Sequence, residues 1–396
     1  MKIGITLQLQ KKKSLFVNGI DLNCLMFYDV IKEIDFVDKV YLVNTSKEKL
    51  TKDEISEIKW LDGYEIINWD GNIRDEINFL ITLGSVPHDL DLKWFKSVNG
   101  NKIVAYKGGN SFILHMEELL FNGKIGDKNT TKNGILNTKE FDEIWMVPQQ
   151  EYHNKQYLEI QHDCKARSVP FVWSPKFIEK DANIYKGSTQ TPWFDDKVFD
   201  KYTIACVEPN TSVLKNMLPI LYSYEYAYKL EPELFQKFHV TNATQHLKNS
   251  TLLQFASCLT IHKEKKLAFD ARWPITVLLA KEHHMIVSHQ WGNPLNYAYL
   301  DIVYFGFPLI HNAHLCQDIG YYYEGFEVKD GGELIVKAAK ERKQDTNYTK
   351  RHHEILKRYT IDNTEMIKQY GLLIKNVYEK NSIDDTNYDW KTNLLK

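Results

Sequence analysis

The stretch VSHQWGNPLNYAYLDIVYFGFPLIHN, Val287–Asn312, decides the fold. It continues a β-rich run that reads as a strand over Met285–His289. A polar loop follows, and Pro294 then opens an apolar segment with helical spacing that runs to Phe305. Gly306 closes the helix, and Pro308–His311 reads as a second buried strand. Strand, short loop, helix and strand in this order build a parallel sheet. The first turn of such a helix presents free backbone N–H groups and the positive end of its dipole, a seat for a diphosphate. Asp301 lies about two turns further on, where a carboxylate can accept both hydroxyls of a ribose. The plain alternative is an N-capped helix ending in a C-cap glycine. His289, Gln290, Asn293 and Asn296 crowd one short loop, which favours a ligand site.

Outward from this unit the same alternation fills the chain. In the first half, strands are predicted over Lys2–Leu9, Val40–Val43, Phe79–Leu83, Lys102–Tyr106 and Glu143–Val147. Helices are predicted near Gly19–Ile34, Leu90–Val98 and Phe112–Phe121. Gly123–Thr138, rich in Gly, Asn, Thr and Lys, reads as a loop. Asp181–Lys201 reads as a linker, and a second series begins with a strand at Tyr202–Val207. It continues through Leu214–Lys229, Phe238–Thr241, His246–Cys258 and Pro274–His283, and ends in helical patterns near Gly332–Arg342, Lys350–Arg358 and Thr364–Tyr378. A chain of 396 residues fits two such α/β domains. Open parallel sheets bind ligands at the carboxyl ends of their strands, so the informative residues are those just after strands.

Composition narrows the function classes. With 43% apolar and 26% charged residues the chain is an ordinary globular protein. A net charge of −2 argues against holding nucleic acid by bulk electrostatics; Lys11, Lys12 and Lys13 form the one tight basic run of the first half. The 23 Tyr, 19 Phe and 9 Trp suit cores, with some available as platforms for sugar rings or bases. Five widely spaced cysteines without a Cys-x-x-Cys pair suit free thiols in a reducing compartment. No signal-peptide pattern and no membrane-length apolar run is present, so a cytoplasmic protein is expected. Phosphate-loop, zinc-helix and nucleophile-elbow signatures are absent, and no metal is expected.

Other strand ends carry further candidates. Arg272 in Phe269-Asp-Ala-Arg-Trp-Pro274, just before a helix, is a natural partner for phosphate oxygens, or else pairs with Asp270. Cys206-Val-Glu-Pro-Asn-Thr-Ser-Val-Leu-Lys215 follows the first strand of the second domain, with a capping role for Asn210 or Thr211 as its plain alternative. Tyr106-Lys107-Gly108-Gly109-Asn110-Ser111 follows a buried strand and precedes a helix bearing His115 and Glu117.

The strand–loop–helix–Gly-x-Pro–strand segment resembles the donor-binding signature of GT-B glycosyltransferases. In that family an acid five positions before the Gly holds the donor ribose, and Asp301 stands there relative to Gly306. A second acid eight positions earlier often meets the donor sugar; this chain has Asn293, a departure that bears on the sugar contact and the stereochemical course. From the Asn18-Gly19 loop through Trp145 and Trp173-Ser-Pro175 to Gly-x-Pro, the chain resembles an uncharacterised family of bacterial and phage proteins of glycosyltransferase type.

The resemblance implies two Rossmann-like doubly wound domains facing a cleft. Residues 1–180 would be the acceptor domain, 181–201 a linker, 202–362 the nucleotide-sugar domain, and 363–396 a helix returning to the first domain, with a tail. It further implies that Lys215 neutralises the donor diphosphate together with Arg272, and that Glu208 and Asn210 reach the donor sugar. Asn18, Gly19 and Lys107 to Asn110 would approach phosphate or acceptor, and His115 and Glu117 are candidates for the catalytic base. The implied activity is metal-independent transfer from a nucleotide-sugar substrate, without a cofactor. The acceptor would be a surface glycan, a protein or hydroxymethylated phage DNA. A non-catalytic sugar-nucleotide or glycan-binding protein and a nucleotide-sugar epimerase are the competing readings.

Overall fold

The computed structural model describes residues 1–10, 19–58, 60–98, 100–121, 138–186, 188 and 190–379. Asn18, Lys11, Lys12, Lys13 and nearly all of the Gly123–Thr138 segment lie outside them. The chain divides into two compact units. The first comprises the described parts of Met1–Met116, Thr131–Phe177 and Lys357–Asn393; the second, those of Glu117–Thr130, Ile178–Leu356 and Leu394–Lys396.

The first unit runs β1 (Lys2–Leu7), α1 (Gly19–Lys32), β2 (Lys39–Asn44), α2 (Lys52–Ser56), β3 (Ile66–Asn68), α3 (Ile73–Glu76), β4 (Phe79–Thr82), α4 (Asp89–Lys96), β5 (Lys102–Lys107), α5 (Ser111–Phe121), β6 (Glu143–Met146), α6 (Glu151–His162) and β7 (Lys165–Ser168). All its strand pairs are parallel, in the order β3-β2-β1-β4-β5-β6-β7. β1 shows why: Ile3, Ile5 and Leu7 are fully buried and so is Thr6, so both faces are covered, as a parallel strand between helix layers requires. The short edge strands β3 and β7 and the helix α6 are additional to the sequence expectation. α6 is mostly polar, and only Asn154, Leu158 and His162 are buried along it, which leaves little apolar period to read.

The second unit runs α7 (Lys176–Ala182), which begins at the boundary, β8 (Tyr202–Cys206), α8 (Leu218–Leu230), β9 (Phe235–Val240), α9 (Ser250–Ser257), α10 (Thr260–Lys263), β10 (Leu267–Phe269), α11 (Ile275–Ala280), β11 (Met285–Val287), α12 (Tyr297–Tyr304), β12 (Leu309–His311), β13 (Tyr321–Tyr322), α13 (Val328–Glu341) and α14 (Tyr348–Leu356). Its sheet is again parallel, in the order β10-β9-β8-β11-β12-β13. The strand order reverses between β8 and β11. That switch point leaves a crevice at the carboxyl ends of the two strands, because the crossovers on either side leave in opposite directions.

The two compact units divide the chain at other points than 180–202 and 362. The segment expected to be a linker, 181–201, belongs to the second unit. Phe194 is buried there against Phe307, Trp193 stacks edge-on to Phe305 at 4.9 Å, and Asp195 pairs with the buried Arg342 at 2.8 Å. At the other end, 357–362 goes with the first unit, together with α15 (Thr364–Glu379). Tyr370 of α15 is fully buried, edge-on to Phe27 of α1 at 5.0 Å and 5.9 Å from the Trp145 ring, with its hydroxyl donating to the Pro170 carbonyl. None of the five cysteines is in a disulfide, and Cys24, Cys206 and Cys316 are buried. Among the described residues no helix is long and apolar enough to cross a membrane.

Candidate functional site

The switch point of the second sheet gathers polar side chains on loops that follow β8, β11 and β12. Glu208, two residues past β8, is 1% exposed. Its carboxylate accepts from the Ser288 hydroxyl and from the His289 backbone N–H. Ser288 Oγ also shares a hydrogen bond with Tyr299 Oη at 2.7 Å. Burial raises the Glu208 pKa, while the Lys215 charge and these hydrogen bonds work against the rise. Burial in turn lowers the Lys215 pKa, with the Glu208 charge opposing it. The Lys215 ammonium lies over the Tyr299 ring, 5.8 Å from its centroid.

Glu208 and Asn210 are turned inward. The Asn210 side chain donates to the Glu208 and Thr241 carbonyls, both at 3.0 Å, and accepts from Met217 N–H at 2.7 Å. Its left-handed backbone, φ 55°, turns the chain so that these bonds close. Lys215 and Glu208 act on each other electrostatically, each opposing the shift that burial imposes on its neighbour.

The loop after β11 is built on amide pairing. Gln290 and Asn312 bond reciprocally: Gln290 N–H to Asn312 Oδ1 at 2.8 Å, Gln290 Nε2 to the Asn312 carbonyl at 3.1 Å, and Asn312 Nδ2 to the Gln290 carbonyl at 2.9 Å. Gln290 Oε1 accepts from Asn293 N–H at 2.6 Å, and Asn293 Oδ1 is buried with no partner among the described residues. α12 starts at Tyr297, later than Pro294, because Asn296 is its N-cap and accepts from Ala298 N–H. Asp301 is half-buried on α12. Gly306, at φ 79°, ends the helix; a Cβ there would stand 2.5 Å from Thr349 Oγ1. His289 is 2% exposed, with Nδ1 on Tyr323 Oη at 2.8 Å, and burial lowers its pKa to about 4.

Arg272 is exposed after β10, the edge strand two places from β8. The alternative pairing with Asp270 is not formed: Asp270 accepts from Ala271 N–H at 2.7 Å, and no ion pair joins it to Arg272. In the first unit, Gly19 is the first residue of α1. Lys107 ends β5 with its ammonium 5.8 Å from the Phe141 centroid, and burial lowers its pKa to about 8, so it is turned into an apolar layer rather than offered on the loop. Gly108 and Gly109 follow it, and a Cβ on either would meet nothing closer than 3.8 Å. Asn110 caps α5 through Ile113 N–H and accepts from the fully buried Asn154 at 2.9 Å. His115 is half-buried with Nδ1 bonded to Tyr157 Oη at 2.6 Å, and burial lowers its pKa. Glu117 is buried on α5, where the division between units falls.

Six sequence candidates therefore share one strand-end cluster: Glu208, Lys215, His289, Gln290, Asn293 and Asn296. Ser288, Tyr299, Asn312 and Tyr323 belong to it as well. The first three lay inside the quoted stretch, but their spacing did not mark them, since each is a common core or turn residue. An Asp-x-Asp spacing, Asp89-Leu90-Asp91, opens α4, where Asp89 accepts from Thr138 and pairs with Lys93 at 3.0 Å. Among the described residues no three metal-ligating side chains come together.

Two Rossmann-like parallel units in one chain are the GT-B fold class. Solved GT-B structures match it along nearly the whole chain. An E. coli trehalose-6-phosphate structure bound with UDP-2-fluoro glucose superposes with TM-score 0.56 at 10% identity, covering 96% of this chain and 99% of that one. The α,α-trehalose-phosphate synthase (UDP-forming) from Burkholderia xenovorans, in complex with glucose-6-phosphate, gives 0.55 at 10%, covering 94% and 99%. Anabaena HepE in complex with UDP-glucose gives 0.51 at 12%, covering 94% and 100%. No curated protein sequence matches the chain. The chain belongs to the family described as "Protein of unknown function (DUF2827)", whose model matches residues 3–374.

Proposed function

We propose that this protein transfers a glycosyl group from a nucleotide-sugar donor to a hydroxyl acceptor, the donor being held by the second unit. One observation carries the reading. The switch-point loop after β11 leads through Asn293 into the Asn296-capped start of α12, with Asp301 on the same short helix. Free N–H groups at that start suit a diphosphate, and the Asp301 carboxylate suits a ribose. The likeness in fold to structures holding UDP-glucose and UDP-2-fluoro glucose supports the same reading.

In the reaction the bond from the sugar's anomeric carbon to the diphosphate oxygen breaks and a bond to the acceptor oxygen forms. The bonding electron pair leaves with the diphosphate, on which negative charge grows, and the acceptor hydroxyl's proton passes to that departing oxygen, directly or through water. The α12 start and the exposed Arg272 would meet that charge. The sugar is transferred with oxocarbenium character, and in this reading backbone dipoles and a guanidinium take the part that a metal would otherwise play at the leaving group. In this reading Lys215 has a supporting part, its charge opposing the rise that burial imposes on the Glu208 pKa.

The test is a panel of nucleotide sugars screened by thermal shift, followed by assay of free nucleotide with and without glycan, protein and DNA acceptors. Nucleotide release that depends on an acceptor is the expected result. Interconversion of the donor sugar would make the protein an epimerase, and binding without turnover a non-catalytic binder.

A further inference from the structure

Beside the buried cluster two large aromatic rings stand in solvent. Trp291 and Phe326 are each 56% exposed, with centroids 6.4 Å apart at an interplanar angle of 75°. Phe326 also meets the His289 imidazole edge-on at 4.6 Å. Exposed aromatic side chains cost hydration free energy unless they serve a surface. These two are moreover fixed from below by one residue. Asn312, 3% exposed, ties Gln290, next to Trp291, and donates to the Gly325 carbonyl, next to Phe326, at 2.8 Å. Gly325 makes this turn at φ 46°, which a glycine adopts without strain. Trp291 N–H is anchored in turn on the Leu214 carbonyl at 2.8 Å.

His289 completes the corner. Its Nδ1 is engaged by Tyr323, while Nε2 is buried and has no partner among the described residues. A buried ring nitrogen left unpaired is unfavourable. The imidazole is neutral at physiological pH. Nε2 is therefore a donor or an acceptor, according to the proton carried by Nδ1, and a hydroxyl can answer either. Hydroxyls beside C–H faces that lie against aromatic rings describe a pyranose.

Resting on the donor reading above, we infer that Trp291, Phe326 and His289 form the subsite for the pyranosyl group of the donor. The sugar's C–H face lies on one ring with the other ring against its edge, and a ring hydroxyl bonds His289 Nε2. The diphosphate then lies toward Asn296, five residues along the same loop.

The test compares isothermal titrations of UDP, GDP, ADP and dTDP, each alone and as its hexose conjugates, on wild type, Trp291→Ala, Phe326→Ala and His289→Gln. Both aromatic side chains are exposed, so the truncated proteins keep their fold, which melting curves check. Wild type should prefer a hexose conjugate over its parent nucleotide. Each aromatic truncation should remove roughly tenfold of that preference and leave bare-nucleotide affinity unchanged. Saturating the aromatic resonances of the protein should transfer magnetisation to sugar protons of the bound conjugate in wild type and less in Trp291→Ala. An unchanged preference in all three variants overturns the inference, as does loss of bare-nucleotide binding in folded Trp291→Ala, which would place the ring against the base. Failure of wild type to bind any nucleotide or conjugate would instead overturn the donor reading.

Discussion

Replacing Lys215 by Met separates two roles that sequence alone does not distinguish. If Lys215 is the counter-charge of Glu208, its loss leaves a carboxylate that is 1% exposed held only by Ser288 and the His289 N–H. The two groups form no contact ion pair, so the loss lies near the low end of the about 3–5 kcal/mol that removing one partner of a buried pair costs. For a domain of this length that corresponds to a fall in the Tm of the second unit on the order of 10 °C. Adding Glu208→Gln should restore much of it, because the amide keeps acceptor and donor capacity without the charge. The sign with pH follows from Glu208. Its folded pKa is raised, so the folded protein holds the proton more tightly than the unfolded chain, and the Lys215→Met defect should shrink as pH falls through that pKa. Scanning calorimetry of wild type, both single variants and the double variant at two pH values closes the cycle. A Lys215→Met protein that melts with wild type but turns over slowly would refute the reasoning, and would return Lys215 to the diphosphate.

The other expectations are briefer. Asp301→Ala should weaken donor binding by roughly 1.5–3 kcal/mol with a smaller loss of turnover, whereas Arg272→Ala should lower kcat more than affinity, as titration beside steady-state kinetics will show; equal, mild effects would speak for a simply capped helix. Gly306→Ala forces a side chain to φ 79° and 2.5 Å from Thr349 Oγ1, and should lower stability by about 2–4 kcal/mol in denaturant titrations. Turnover should persist in chelator; its loss there and rescue by magnesium or manganese would show a metal requirement. His283, His289, His311 and His352, with folded pKa values near 4, and His284 near 3, are held neutral by burial. Their unfolded forms take protons near 6.5, so Tm should fall steadily from pH 7 toward pH 4; a flat profile would mean these rings are solvated.

What was legible in the sequence is what periodicity and punctuation carry. The strands around Ile3, Leu80, Val104, Ile204 and Ile286 are apolar on both faces, and a run without alternation between helices points to a buried parallel strand. The Gly306-x-Pro308 break was visible because only glycine closes a helix at that φ so near another side chain. The edge strands β3, β7, β10 and β13 were not visible. Each has two to four residues, and three of them are at best half-buried, so each carries too few core positions to set a period. Within the candidate site, the sequence marked the loop after β11 but not the direction of its side chains. Asn210, Glu208 and Lys215 point inward because the β8 loop has carbonyls and a carboxylate to satisfy once it is enclosed, a demand that arises only when β9 and β11 flank β8. The same enclosure leaves Trp291 and Phe326 outside. Asn312 bonds residues 290 and 325 together, and no spacing rule brings three such distant positions to one corner. Polar residues after a strand can therefore be read from sequence as a site, but which of them face a ligand is decided by the strand order around them.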